Sequence, residues 1–179
     1  IFPSDTPIPQ ATILRLWQST AFSSFKGKNL LRRIAGHFCR LSIETHLGTE
    51  PVLRFHDKIR EYLLGQLADI SATHQVLLGA YRKTQMGDGW HTVVNDGYIF
   101  DHLIYHLEQA EQQHEIHDLF CSEGWAKSRS NQSALGLLND FEYARKLGTT
   151  DLTIRIRYAL FSDVVNQRYK NIPVEGLTN

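Results

Sequence analysis

The stretch "VLRFHDKIREYLL" (residues 52–64) joins two patterns that decide how the rest of the chain is organised. Val52 to Phe55 reads as the end of a strand, and Asp57 to Leu64 as the first turns of an amphipathic helix. An adjacent His56-Asp57 pair sits at the joint. Working upstream, "RLSIETHLGTEPVLRF" alternates at Leu41, Ile43 and Thr45, turns at Gly48-Thr49-Glu50-Pro51, and returns through Val52 to Phe55. That is a hairpin signature. Before it, "PIPQATILRLWQST" carries Pro9 where a helix would begin, followed by Ile13, Leu14 and Trp17 at helical spacing. "GKNLLRRIAGHF" gives a second helix with Leu30, Leu31, Ile34 and Phe38 on one side. Helix, helix, hairpin is the order of a winged helix-turn-helix.

Downstream the chain reads as helices only. Ile59, Tyr62, Leu63, Leu67 and Ile70 mark one, with Asp57 as its expected N-cap. Ser71 can cap the next, through Leu77, Leu78 and Tyr81. "TQMGDGWHTVVNDG" (84–97) is a loop, rich in glycine and aspartate. It leads into "YIFDHLIYHLEQAEQ" and "HEIHDLFCSEGW", with further helices expected over 133–147 and 151–166. Short helices on short loops predict antiparallel helical pairs. The expected fold class is mostly α with a small β-hairpin wing: a winged-helix domain over 1–64 and an all-α helical domain over 65–179. Their boundary is expected near Leu64 to Ile70, inside a continuous helix.

With 179 residues, 42% hydrophobic and 21% charged, the chain is long enough for a real core or two small ones. A formal net charge of zero gives no bulk attraction to nucleic acid or acidic membranes. Cys39 and Cys121 stand far apart and form no CxxC pattern, which fits a reducing cytoplasmic setting. No apolar run approaches the roughly 18 residues of a membrane span. The abrupt apolar opening "IFPSD" reads as the interior of a longer polypeptide.

The histidines invite a metal reading that their spacing does not support. His102 and His106 share a helix face but lack an obvious third ligand. His114, Glu115 and His117 form HExH, which splays the imidazoles apart where a zinc hydrolase needs HExxH. No metal site and no catalytic residue is expected. There is no GxSxG elbow, and "FKGKN" lacks the glycine spacing and following hydroxyl of a phosphate loop. The chain is therefore not expected to be an enzyme by itself. A winged helix can bind DNA, and Lys28, Arg32, Arg33 and Arg40 could reach phosphates, which is the alternative function. His56-Asp57 leaves two readings open. Asp57 caps the helix and His56 is incidental, or the helix N-terminus and the imidazole together favour a phosphate.

Several stretches, in order along the chain, resemble the region after the nucleotide-binding core of NB-ARC (STAND) signalling ATPases. That family includes the apoptotic protease-activating factor, plant disease-resistance proteins and bacterial WD-repeat regulators. "FPSDTPIPQATILRLW" is similar to the family's winged-helix opening, and "RFHDKIREYL" to its Met-or-Leu-His-Asp motif and following helix. "HQVLLGAYRK", "GWHTVVNDGYIFDHLIYHLEQA" and "LFCSEGWAKSR" resemble the second helical domain of the apoptotic factor and its bacterial relatives. The match covers about residues 1–147. It implies a cytoplasmic parent chain with an effector and a P-loop ATPase core before this region and a sensor, often a β-propeller, after it. The motif histidine of the family contacts the β-phosphate of ADP and holds the closed state, a role that falls on His56. Asp57 matches the motif aspartate, and Phe55 replaces the usual Met or Leu, keeping an apolar anchor with a bulkier ring. The implied cofactor is ADP or ATP in the full-length protein, held only weakly by this region alone. The implied partners are the nucleotide-binding domain of the same chain and the sensor, with oligomerisation on activation.

Overall fold

In a computed structural model of the chain, residues 1–20, 23–34, 39–43, 51–148 and 152–170 are described. The described elements run β1 (Ile8–Pro9), α1 (Gln10–Ser19), α2 (Ser24–Ile34), β2 (Cys39–Ile43), β3 (Pro51–Phe55), α3 (Asp57–Gly65), α4 (Ile70–Arg82), a 3-10 turn (Trp90–Thr92), α5 (Ile99–Gln109), α6 (Gln113–Cys121), α7 (Glu123–Gln132), α8 (Ala134–Lys146) and α9 (Leu152–Lys170). The fold is mostly helical with one small antiparallel sheet, as expected. The expected turn at Gly48 to Glu50 and the alternating Thr45 lie outside the described residues.

The sheet has a third strand that periodicity does not reveal. Its order is β1-β3-β2, with Ile8 opposite Leu53 and Cys39 opposite Phe55. Two residues are too few to show alternation. Pro9 ends this strand and is also the N-cap of α1, so the helix does begin beside it. β3 is the central strand, with Leu53 opposite both Ile8 and Leu41 and Val52 opposite both Pro9 and Ser42, and both of these β3 residues are buried.

Packing divides the chain into two compact units. The first comprises Ile1–Asp88 and Thr92–Gln112; the second comprises Gly89–His91 and the chain from Gln113 onward. Position 64/65 is therefore no seam in the packing, since α4 and α5 belong to the first unit with the winged-helix elements. The core of this unit gathers Ile8, Ile13, Leu14, Leu31, Leu53 and Tyr98, with Leu77, Leu78, Leu103 and Leu107 of the helical pair also buried. Burial of each such side chain contributes roughly 1.5–3 kcal/mol.

The helix expected to run through Leu64 to Ile70 is broken. α3 ends at Gly65, and the amides of Gln66 and Leu67 bond back three residues to Leu63 and Leu64 at 3.2 and 3.1 Å. Such bonds tighten a final turn. Asp69, rather than Ser71, then caps α4, its carboxylate accepting the Ala72 amide at 2.8 Å.

In the second unit, Ser122 caps α7 and Ser133 caps α8, each accepting an amide three residues on. Ile116, Leu119, Phe120, Trp125, Leu137 and Phe141 form the interior, with the Phe120 and Phe141 rings 4.6 Å apart. A buried ion pair from Arg129 Nε to Asp140 Oδ2, 2.9 Å long, ties α7 to α8. A methyl group built on Gly136 would stand 2.5 Å from Arg129 Nη2, so glycine there makes room for the paired guanidinium.

Candidate functional site

β3 delivers His56 to the surface. The backbone of His56 is extended (φ −66°, ψ 137°), so it leaves the strand without entering the helix. Its carbonyl accepts the amides of Ile59 and Arg60, both at 2.9 Å. His56 is thus the N-cap and Asp57 the first helical residue, which corrects the expectation that Asp57 caps the helix. The side chain of His56 makes no capping hydrogen bond, and both residues are exposed. Asp57 still favours the helix through the positive end of the dipole. Phe55 is half-buried and packs against the core of the first unit, so the end of the strand is anchored while His56 is not.

The arrangement offers a phosphate an exposed imidazole and the amides of Asp57 and Lys58, which precede the first amide bonded to the His56 carbonyl. The adjacent Asp57 carboxylate opposes an anion at the same place, so the imidazole N–H must supply the attraction the dipole alone cannot. Beyond this end, α3 is unusual: none of its residues is buried. Tyr62 is 64% exposed and Leu63 46%, followed by Leu67 and Ile70 in the same condition. An amphipathic helix normally hides its apolar stripe.

Two further polar clusters lie inside the first unit. The first is a pair of imidazoles. His74 on α4 and His106 on α5 are both fully buried, with their Nδ1 atoms 2.8 Å apart. The Tyr98 hydroxyl is 2.7 Å from His106 Nε2, while His74 Nε2 has no partner among the described residues. The sequence pairs His106 with His102 on one helix face; the structure pairs it with a residue 32 positions earlier. His102 stacks on Tyr98 instead, at 4.5 Å.

Burial lowers the pKa of His74 to about 4 and holds that of His106 well below the ordinary imidazole value. The unfolded chain therefore binds more protons than the folded one as pH drops from about 6.5 toward 4, and stability present above 6.5 is lost through that window. Each titrating histidine contributes a slope of about 1.4 kcal/mol per pH unit. Urea midpoints measured from pH 7 to 5 are expected to fall accordingly. His74→Gln, which cannot titrate, is expected to remove one histidine's share of the slope; an unchanged slope would refute the assignment.

The second cluster centres on Asp96, in the loop before α5. Its Oδ2 accepts Arg15 Nη1 at 2.6 Å, the Tyr81 hydroxyl at 2.6 Å and the Thr12 hydroxyl at 3.0 Å. Its Oδ1 faces the amides of Tyr98 and Ile99 at 3.2 and 3.3 Å. One carboxylate thereby joins α1, α4 and the start of α5. Burial, reinforced by the Asp96 charge, pushes the Tyr81 phenol far up, so its proton stays on and donates. The sequence marks Asp96 only as a turn residue beside Gly97.

The remaining candidates stay apart. Among the described residues no three of His, Cys, Asp or Glu converge on a point that could hold a metal. His114 is exposed, and His117 is 3.9 Å from the Cys121 sulfur. Lys28, Arg32 and Arg33 are exposed on α2, and the side chain of Arg40 lies outside the described residues. Gly27, the glycine of "FKGKN", sits within α2, where a methyl group would stand 2.7 Å from Leu14 Cδ2; it serves helix packing. No described helix is long and apolar enough to cross a membrane.

Compared with protein families, residues 70–167 match the model described as the APAF-1 helical domain. No curated protein matches the chain.

Proposed function

The chain belongs to the APAF-1 helical-domain family through residues 70–167, and from that membership we propose that it is the regulatory arm of an ATP/ADP-switched signalling NTPase. Residues 1–64 act as its winged-helix module and 65–179 as its helical module. His56 contacts the β-phosphate of ADP bound by the nucleotide-binding domain of the same polypeptide, with Phe55 and Asp57 fixing the loop. A sensor, expected to be a β-propeller, lies beyond the helical module, and release of the contact permits oligomerisation in the cytoplasm.

The observation that carries this reading is α3: a helix with no buried residue, with Tyr62 and Leu63 exposed along it and an exposed His56 at its N-terminus. A nucleotide-binding domain seated on that face would cover the apolar stripe and meet His56 at once. Arg32 and Arg33 lie in the last turn of α2, where the helix dipole already favours cations, so they do not by themselves favour the DNA-binding alternative.

Tyr62 is the position to test, because it is 64% exposed and its loss should spare the fold. Tyrosine is enriched among the minority of interface residues whose loss costs about 2 kcal/mol or more. Tyr62→Asp in the full-length protein is therefore expected to shift the closed-to-open equilibrium by roughly tenfold or more. Sedimentation of the ADP-loaded protein would show more assembled species. An unchanged distribution would count against docking on α3.

A further inference from the structure

We infer that α9, in the second unit, docks an acidic amphipathic helix of another protein. Leu152, Ile156, Leu160 and Val164 recur every four residues along α9, and all four are between 51 and 70% exposed. Residues four apart form one ridge of a helix surface, the feature that packs into the groove of a second helix. The opposite side of α9 is already used, since Ile154 and Val165 are buried there. A helix that is apolar on both sides is normally covered on both. The exposed ridge borders a groove of about 330 Å³, with Phe120, Leu137 and Phe141 on its far wall and Leu160 and Val164 on its near wall. A ridge beside such a recess takes the apolar side chains that a partner helix presents at three- and four-residue spacing.

Charge selects the kind of helix. α9 carries Arg155, Arg157, Arg168 and Lys170 against one carboxylate, Asp163, in a chain whose formal net charge is zero. Arg155 and Arg157 are exposed, and at 3.6 residues per turn they stand on either side of Ile156, and so of the ridge. Arg157 is held at the groove by its donations to the carbonyls of Phe120 and Cys121, at 3.3 and 3.0 Å. Neither arginine has a carboxylate partner among the described residues, while Asp163 accepts from the Gln167 amide at 2.9 Å. An apolar ridge rimmed by two unmatched cations suits a partner helix whose apolar stripe runs between acidic flanks. A flat anionic membrane would meet the cations but leave the groove unfilled. None of these residues is assigned to nucleotide, so binding is expected with or without ADP.

Fluorescence anisotropy with the full-length protein tests it, using three labelled helical peptides of about four turns. One has a leucine stripe with glutamate flanks, the second has lysine for every glutamate, and the third has serine for every leucine. The acidic leucine peptide is expected to saturate at one per chain, with each altered peptide bound at least about tenfold weaker. Leu160→Asp and Arg155→Glu, both at exposed positions, are each expected to weaken the acidic peptide by about tenfold or more with circular dichroism unchanged. Should Leu160→Asp fail to fold, Arg155→Glu and the peptide series on the unaltered protein decide alone. No saturable binding, an altered peptide bound as tightly, or binding that survives both substitutions would overturn the proposal. So would flotation on phosphatidylserine vesicles, or a dimer of the protein, that Leu160→Asp abolishes, because either gives the ridge a different occupant.

Discussion

Asp96→Ala is expected to lower folding stability by about 3–5 kcal/mol, the range for breaking a buried ion pair from one side. The Asp96 side chain is only 7% exposed, and its loss strands several groups at once. Arg15 loses its 2.6 Å partner, Tyr81 and Thr12 lose their acceptor, and the amides of Tyr98 and Ile99 lose the carboxylate they face. Arg15 also lies over the Tyr81 ring, 4.5 Å from its centroid, so the guanidinium cannot leave for water without disturbing that stack. Urea denaturation of Asp96→Ala beside the unaltered protein measures the cost. Asp96→Asn keeps an acceptor but not the charge and is expected to fall between the two. A loss under about 1 kcal/mol for the alanine variant would mean that Asp96 is not the junction between α1, α4 and α5.

That junction explains why 64/65 is no seam in the packing. Thr12 and Arg15 of α1, Tyr81 of α4 and the amides at the start of α5 all meet one carboxylate, Asp96.

What the sequence disclosed, and what it hid, follows from the range of the interactions. Helices with apolar residues at three- and four-residue spacing, such as α4, α5 and α8, are legible because their stripes are local. β3 is legible at Val52 to Phe55 as a short apolar run between a turn signal and a helix start, although its burial, with Val52 and Leu53 both covered, does not alternate. Capping depends on a single dihedral, which is why His56 and Asp69, rather than Asp57 and Ser71, start their helices. β1 is too short for any period to show. The His74–His106 contact and the Thr12–Asp96 contact span 32 and 84 residues, and composition holds no trace of such pairings. In the candidate site, His56 is legible as a motif residue. The uncovered state of α3 is not, because an amphipathic pattern predicts burial without saying what covers it.

The central claim rests on His56, and replacing it tests that claim with little structural side effect. Its side chain is exposed and makes no capping bond, while its backbone carbonyl, which starts the helix, survives substitution. His56→Ala should therefore fold normally. A hydrogen bond to a charged phosphate contributes about 1.5–3 kcal/mol. Its loss corresponds to roughly a ten- to hundredfold change in an equilibrium or release constant. The decisive measurement is the rate of ADP release from the full-length protein, with and without His56→Ala. Release about ten- to hundredfold faster in the variant is the predicted result; equal rates would contradict the assignment of His56 to the nucleotide.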